Sequence, residues 1–248
     1  MKTLMFDLEH GSQSIGSKDH IHELFGFPVL QPGTWDQFQA IMGRLYKTET
    51  TKEKVLVGNL EIEEDTTKIV PKNGTAIDAL VLDTFSELSK KYVRQLSDKD
   101  GKLKLQAWGQ LKNKLDSALD FLSRIPGVVV CTCHSRIQVM DDGNKVMPYI
   151  DGSTKEDISK WFDFVFYTKT IIDGKNRKYM WITARDEKYD HAKDRTSLLP
   201  ELMEQDYQQV IDAANKKGFS GVKILIIGSP GSGKTFSLRT LAKGEKKE

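Results

Sequence analysis

Cysteine is scarce: the 248 residues hold only Cys131 and Cys133. They lie two positions apart in an apolar run. An extended backbone holds such a pair on one face, poorly placed to bridge, so there is no disulfide framework. No apolar run reaches the length of a membrane span, and the N-terminus lacks a signal-peptide pattern. Net charge is nearly missing too, with 37 Lys and Arg against 35 Asp and Glu. That balance argues against a polycation wrapping nucleic acid and leaves room for a local basic patch. Repeats and low-complexity tracts are absent, and only the Lys/Glu tail from Gly244 to Glu248 reads as frayed. Together these absences predict a soluble protein of a reducing, cytosolic compartment with no membrane partner. What is present suffices for a core: 38% of residues are hydrophobic and 9% aromatic, enough for one domain spanning 1–248.

Strand and helix patterns alternate along the chain. Lys2 to Leu8 reads as a buried strand emerging at a sheet edge, and Ala79 to Leu82 and Val128 to Thr132 as strands covered on both faces. Phe164 to Thr168 and Tyr179 to Thr183 flank an Asp173-Gly174 turn, and Val222 to Ile227 is the last strand. Helical stripes fall at Trp35, Phe38, Ile41, Met42 and Leu45; at Phe85, Leu88, Tyr92 and Leu96; at Trp108 through Leu122; and at Tyr207 through Ala214. Residues 48–74 read as a charged, hairpin-rich insertion of short pieces. The alternation predicts an α/β fold, a mainly parallel central sheet flanked by helices.

Gly228-Ser229-Pro230-Gly231-Ser232-Gly233-Lys234-Thr235 fits the G-x-x-x-x-G-K-[ST] pattern in full. Its glycines let backbone N–H groups approach phosphate oxygens with no Cβ in the way. Lys234 suits the β- and γ-phosphates of ATP, and the Thr235 hydroxyl suits Mg²⁺. A buried-type strand enters the loop. A helical run with Phe236, Leu238 and Leu241 as apolar positions leaves it, so 221–243 reads as a phosphate-loop strand and helix.

Such a loop needs a carboxylate from a neighbouring strand for the metal's water shell, and Asp83 stands at the end of Ala79–Leu82. Asp83 also reads as a helix cap, since a helix follows, but the phosphate loop elsewhere in the chain favours the metal role. Glu9, at the end of the first strand, is placed to activate water or is a solvated strand-end acid; the solvated reading suits Asp7 better still. His134 is either a γ-phosphate sensor or a plain loop histidine. His20 and His22 have no Cys or further His at ligand spacing, so no metal is assigned to them.

These residues together resemble the RecA-like ATPases, and most closely the phage nucleotide-binding proteins of single-strand annealing and recombination. Phe6-Asp7-Leu8-Glu9-His10 is similar to the RecA segment whose Glu activates water, and Leu80-Val81-Leu82-Asp83-Thr84 to the Walker B strand. Val130-Cys131-Thr132-Cys133-His134-Ser135-Arg136 resembles the strand and sensor ahead of the second DNA-binding loop, with His134 where RecA proteins have Gln. Gln106-Ala107-Trp108-Gly109, Phe162-Asp163 and Ala192-Lys193-Asp194-Arg195-Thr196 are further likenesses. By that resemblance Lys193 and Arg195 are fingers for a neighbouring subunit's nucleotide, within a ring or filament; as residues alone they read as a basic surface turn. The family's order puts the phosphate-loop strand first, whereas here it closes the chain. Joining Glu248 to Lys2 restores the familiar order, and Met203 looks like a former start, so a circular permutation is inferred.

The resemblance implies an Mg²⁺-dependent ATPase acting on single-stranded DNA in phage recombination or replication, in the cytoplasm of the bacterial host. Residues 136–153, with Arg136, Lys145 and Tyr149, correspond to a DNA-binding loop, while Asp141-Asp142-Gly143-Asn144 makes an ordinary β-hairpin an equal reading. Lys90, Lys91 and Arg94 read as a solvated helix face. Two other functions stay open: a module in which ATP sets conformation without hydrolysis, and a P-loop kinase, against which the Glu9 strand end argues for water as nucleophile.

Overall fold

A computed structural model of the chain describes residues 1–72, 74–140, 143–174 and 176–242. The chain opens with β1 (Thr3–Asp7), buried throughout, then α1 (Lys18–Phe25) and α2 (Trp35–Leu45). Ser17 and Thr34 cap these helices by accepting hydrogen bonds from the backbone N–H groups of His20 and Gln37. A long pair follows, β2 (Tyr46–Val57) and β3 (Leu60–Pro71), then β4 (Ala79–Asp83), α3 (Phe85–Leu96) and α4 (Leu105–Arg124). Next come β5 (Gly127–Met140), β6 (Gly143–Pro148), α5 (Thr154–Asp157), β7 (Phe164–Asp173) and β8 (Asn176–Ile182). The last elements are β9 (Lys193–Asp194), β10 (Leu202–Glu204), α6 (Tyr207–Lys216), β11 (Gly221–Gly228) and α7 (Lys234–Ser237), which tightens into a 3-10 turn at Leu238–Leu241.

The main sheet runs β1-β4-β5-β11-β7-β8-β10. Its first five strands are parallel, and β8 and β10 add antiparallel at one edge. Side-chain alternation sorts each central strand into two cores. Leu80, Leu82, Val129, Cys131, Leu225 and Ile227 face α2, α3 and α4. Val81, Val130, Ile224, Ile226, Phe164 and Phe166 face α1, α6 and the 3-10 turn. Both faces are covered, and this is why the central strands are apolar without interruption.

The mainly parallel α/β sheet agrees with the reading from sequence, and several details differ. Asp83 does not come from the strand next to β11, because β5 lies between β4 and β11. The helix after the phosphate loop is four residues of α-helix and a 3-10 turn, with Leu238 and Leu241 buried and Phe236 exposed. Residues 46–71 form one hairpin of two 12-residue strands instead of short pieces. Its two-residue turn takes the positive φ of Gly58, 64°, that primed turns need. β5 runs on to Met140, beyond the sheet, and pairs there with β6. The Gly244–Glu248 tail, and Asp141-Asp142 of the expected turn, lie outside the described residues. Among the described residues no helix is long and apolar enough to cross a membrane.

Candidate functional site

Parallel strands end together, so β1, β4, the sheet portion of β5 and β11 deliver their C-terminal residues to one edge. The register pairs Asp7 with Asp83 and His134 with Gly228. Beyond Gly228 the chain turns through Gly231 and Gly233, whose φ values of 74° and 84° suit glycine. A Cβ on Gly228 would lie 1.8 Å from Thr168 Oγ1, and one on Gly233 would lie 2.9 Å from Gln205 Oε1 and 3.0 Å from the Tyr179 ring. The loop is held in place by Ser232 Oγ, which donates to the Ser229 carbonyl at 2.7 Å, and by Gln205 Nε2, which donates to the Ser232 carbonyl at 3.2 Å.

Lys234 is buried, its Nζ donating to the carbonyls of Gly228 at 2.8 Å and Ser229 at 2.9 Å. Burial lowers its pKa, against the attraction of Asp83 and Glu9. Thr235 Oγ1 donates to Asp83 Oδ2 at 2.6 Å, and Thr132 Oγ1 donates to Asp83 Oδ1. Burial raises the Asp83 pKa, the two hydroxyls pull it back, and Glu9 and Asp7 add to the rise. The helix cap is Thr84, whose Oγ1 accepts from Glu87 N at 3.2 Å, so Asp83 is not the cap. The Asp83–Thr84 peptide bond is cis.

Glu9 Oε1 takes hydrogen bonds from Thr84 Oγ1 and His134 Nε2, each at 2.5 Å. Burial pushes its pKa up, but the bonds from His134 and Thr84 and the charges of His134 and Lys234 outweigh that and hold it below the ordinary value. Asp7 is no solvated strand-end acid: it is fully buried, and its carboxylate accepts from the backbone N–H groups of Glu9, Gly11 and Ser12 and from Gln31. That carboxylate shapes the turn that swings Glu9 and Gly11 over Thr235. Glu9, Thr84, His134, Tyr179 and Phe236 join Lys234 and Thr235 around a pocket of about 520 Å³.

Metal chemistry fits this edge. Among the described residues no three His, Cys, Asp or Glu gather into a ready cage. A hydroxyl and a carboxylate in contact, beside a phosphate-sized loop, suit Mg²⁺, which keeps waters and completes its shell with substrate oxygens. Thr235 would hold the ion and Asp83 its water.

His134 lies inside β5, not in a loop, and its backbone N–H donates to Ser86 Oγ at 2.9 Å. Its carbonyl accepts from Tyr149 N at 2.7 Å. Tyr149 is half exposed, with Lys90 Nζ 5.0 Å and the Arg136 guanidinium 5.8 Å from its ring centre. Lys90 is therefore not simply on a solvated face. Lys145 pairs with Asp190 at 3.8 Å.

Lys193 and Arg195 lie elsewhere. β9 pairs with the start of β7, at the opposite edge of the sheet from Gly228. Lys193 Nζ is turned inward onto the carbonyls of Ser159 and Phe162, and Arg195 is exposed and bound to Asp163 at 2.7 Å. The sequence assigns no site role to Tyr179, Phe236, Gln205 or Thr132; Phe236 reads as a core position of the helix and Thr132 as part of a buried strand, while Tyr179 and Gln205 come from segments without a motif and are brought to the loop by the sheet order.

A family model described as an AAA domain matches residues 1–196. The Gly228–Thr235 loop lies outside the matched span. No curated protein and no solved structure matches the chain.

Proposed function

This chain belongs to the AAA domain family of P-loop nucleotide-binding ATPases, and on that premise we propose that it is an Mg²⁺-dependent, RecA-like ATPase acting on single-stranded DNA in phage recombination or replication. One observation carries the reading: Lys234, Thr235 and Glu9, drawn from both ends of the chain, line one pocket, and the buried Asp83 stands behind it, held to the Thr235 hydroxyl. In that reading the Gly228–Thr235 backbone cradles the phosphates of ATP. Lys234 exchanges its two carbonyl partners for phosphate oxygens, which relieves the cost of keeping an ammonium buried on neutral partners. Bound Mg²⁺ would supply charge neutralisation at the transferring phosphate. Glu9 polarises water, and His134 holds the same carboxylate from the strand that leads to the DNA-binding hairpin. Tyr149, with Arg136 and Lys90 beside it, offers a flat face and cations to a single strand. Arg195, exposed at the far edge, is the remaining candidate for a finger reaching a neighbour's nucleotide.

The segment order supports a circular permutation. The family match ends before the phosphate loop, yet the loop takes its place between β5 and β7 as an integral strand. A second reading draws on the grip of His134 and Thr84 on Glu9: nucleotide sets conformation, and hydrolysis is silent until the grip opens. The experiment is phosphate release with and without single-stranded DNA, run beside Lys234→Ala. DNA-stimulated release that Lys234→Ala abolishes supports the ATPase. Nucleotide binding without release above the Lys234→Ala background selects the second reading. Full turnover in Lys234→Ala rules out the site.

A further inference from the structure

β11 stops at Gly228, but the strands on either side of it run further. β5 continues into the β6 pairing, and β7 continues to Asp173 and returns as β8. A hairpin therefore rises on each side of the phosphate loop, the two roots about 10 Å apart, which is two strand spacings. The root of the β7–β8 hairpin is firmly seated. Thr168 stands against Gly228, the Tyr179 ring stands against Gly233, and Trp181 stacks on Phe166 at 5.3 Å.

Beyond that root the hairpin is strongly basic. Its sequence carries Lys169, Lys175, Arg177 and Lys178 against the single acid Asp173. Lys169, Arg177 and Lys178 are exposed, and among the described residues none of the three has an ion pair, a side-chain hydrogen bond or a ring contact. The register pairs Lys169 with Met180 and Lys178 with Ile171, so the two lysines are diagonal neighbours on one face, about 7–8 Å apart. Arg177 pairs with Ile172 on the other face. Like charges side by side weaken a ladder, and a bound anion removes that cost. The β5–β6 side differs: Lys90, beside Tyr149, is held by Glu87 at 2.5 Å, and Lys145 is held by Asp190 at 3.8 Å.

We propose that the β7–β8 hairpin is a second contact for single-stranded DNA, in which Lys169, Arg177 and Lys178 take phosphates of a strand that also lies over Tyr149 on the neighbouring hairpin. The inference rests on the single-strand reading above and places most of the charge of that interface on a hairpin with no motif. Among the described residues of its tip only Ile172 is an exposed large apolar side chain, so the contact is with phosphates and is blind to sequence.

Fluorescence anisotropy of a labelled oligo-dT over a range of salt concentrations, on the full chain with ATP and Mg²⁺ present, tests it. Lys169→Gln, Arg177→Gln and Lys178→Gln together should weaken binding about 10–100-fold at low salt. They should also flatten the slope of log affinity against log salt by about 2, at about 0.7 per phosphate contact. Lys169→Arg with Lys178→Arg keeps the charge and should bind as the parent does. All three positions are exposed, so Tm should hold within a few degrees in both variants. A triple variant with the parent's affinity and slope, weakened binding with an unchanged slope, or a charge-keeping variant that fails like the triple one would each overturn the proposal and leave Tyr149 and Arg136 as the DNA site. A parent that binds no oligo-dT at any salt overturns the single-strand reading itself, and this inference with it.

Discussion

Glu9 and Asp83 lie at one edge of the sheet yet their acidities are driven apart. Glu9 stays a carboxylate well into acid because His134 and Thr84 donate to it. Glu9→Gln should keep nucleotide binding and cut phosphate release by about 10²–10⁴-fold, measured as affinity and turnover separately. Its folded pKa is depressed, so its contribution to stability is complete above the ordinary value of 4.5 and is lost as pH falls through the lowered one. The acid limb of turnover set by Glu9 should accordingly lie below 4.5 in the parent. His134→Ala should move that limb upward, which a pH–rate profile of both proteins reads. Asp83 has the opposite sign. Its folded pKa is raised by burial, so the contribution of the neutral carboxyl to the nucleotide-free fold is complete below the ordinary value of 3.8 and is lost as pH rises through the raised one. Asp83→Asn should raise the Tm of the free protein by about 2–4 °C, for about 1 kcal/mol, and erase the further rise given by Mg²⁺ with nucleotide.

At the scale of elements, the start of β5 is tightly specified. Gly127 has φ 79°, and a Cβ there would stand 2.5 Å from the Asp78 carbonyl, which accepts from Val128 N. Gly127→Ala should cost about 1–3 kcal/mol, seen as a fall in Tm, with nucleotide affinity little changed because the residue lies at the far end of the strand from His134. Where an element's cause is local, the sequence displays it. The phosphate loop, the buried runs of β4 and β11 and the stripe of α4 are each written in contiguous residues. Residues 48–74 read only as short, hairpin-rich pieces, because pairing over twelve residues needs partners that composition does not announce. α1 went unread because its stripe is short, although Ser17 and Gly26 mark its ends. The role of Asp7 was illegible for a different reason: its carboxylate is consumed by three backbone N–H groups of the following turn, a tertiary fact. Phe236 looked like core by spacing and became pocket wall because the helix tightens after one turn.

For the whole molecule, the order of segments in the chain matters less than their meeting in the sheet. Met1 and Leu241 pack on the same hydrophobic cluster, so both ends of the described chain lie on one face of the sheet. A rearranged chain running 203–248 and then 1–202 should therefore fold to the same Tm within a few degrees and bind nucleotide equally, by thermal shift and titration; failure to bind would count against the permutation. β5 has a mechanical consequence of its own. A single unbroken strand of 14 residues passes through the core, carries His134 at the sheet's rim and continues into the projecting β6 pairing. It cannot slide, since a one-residue slip would turn its inner side chains outward. A push on the outer half therefore has no change of register to absorb it, and His134, where the sheet portion meets the β6 pairing, is the residue that links that half to Glu9.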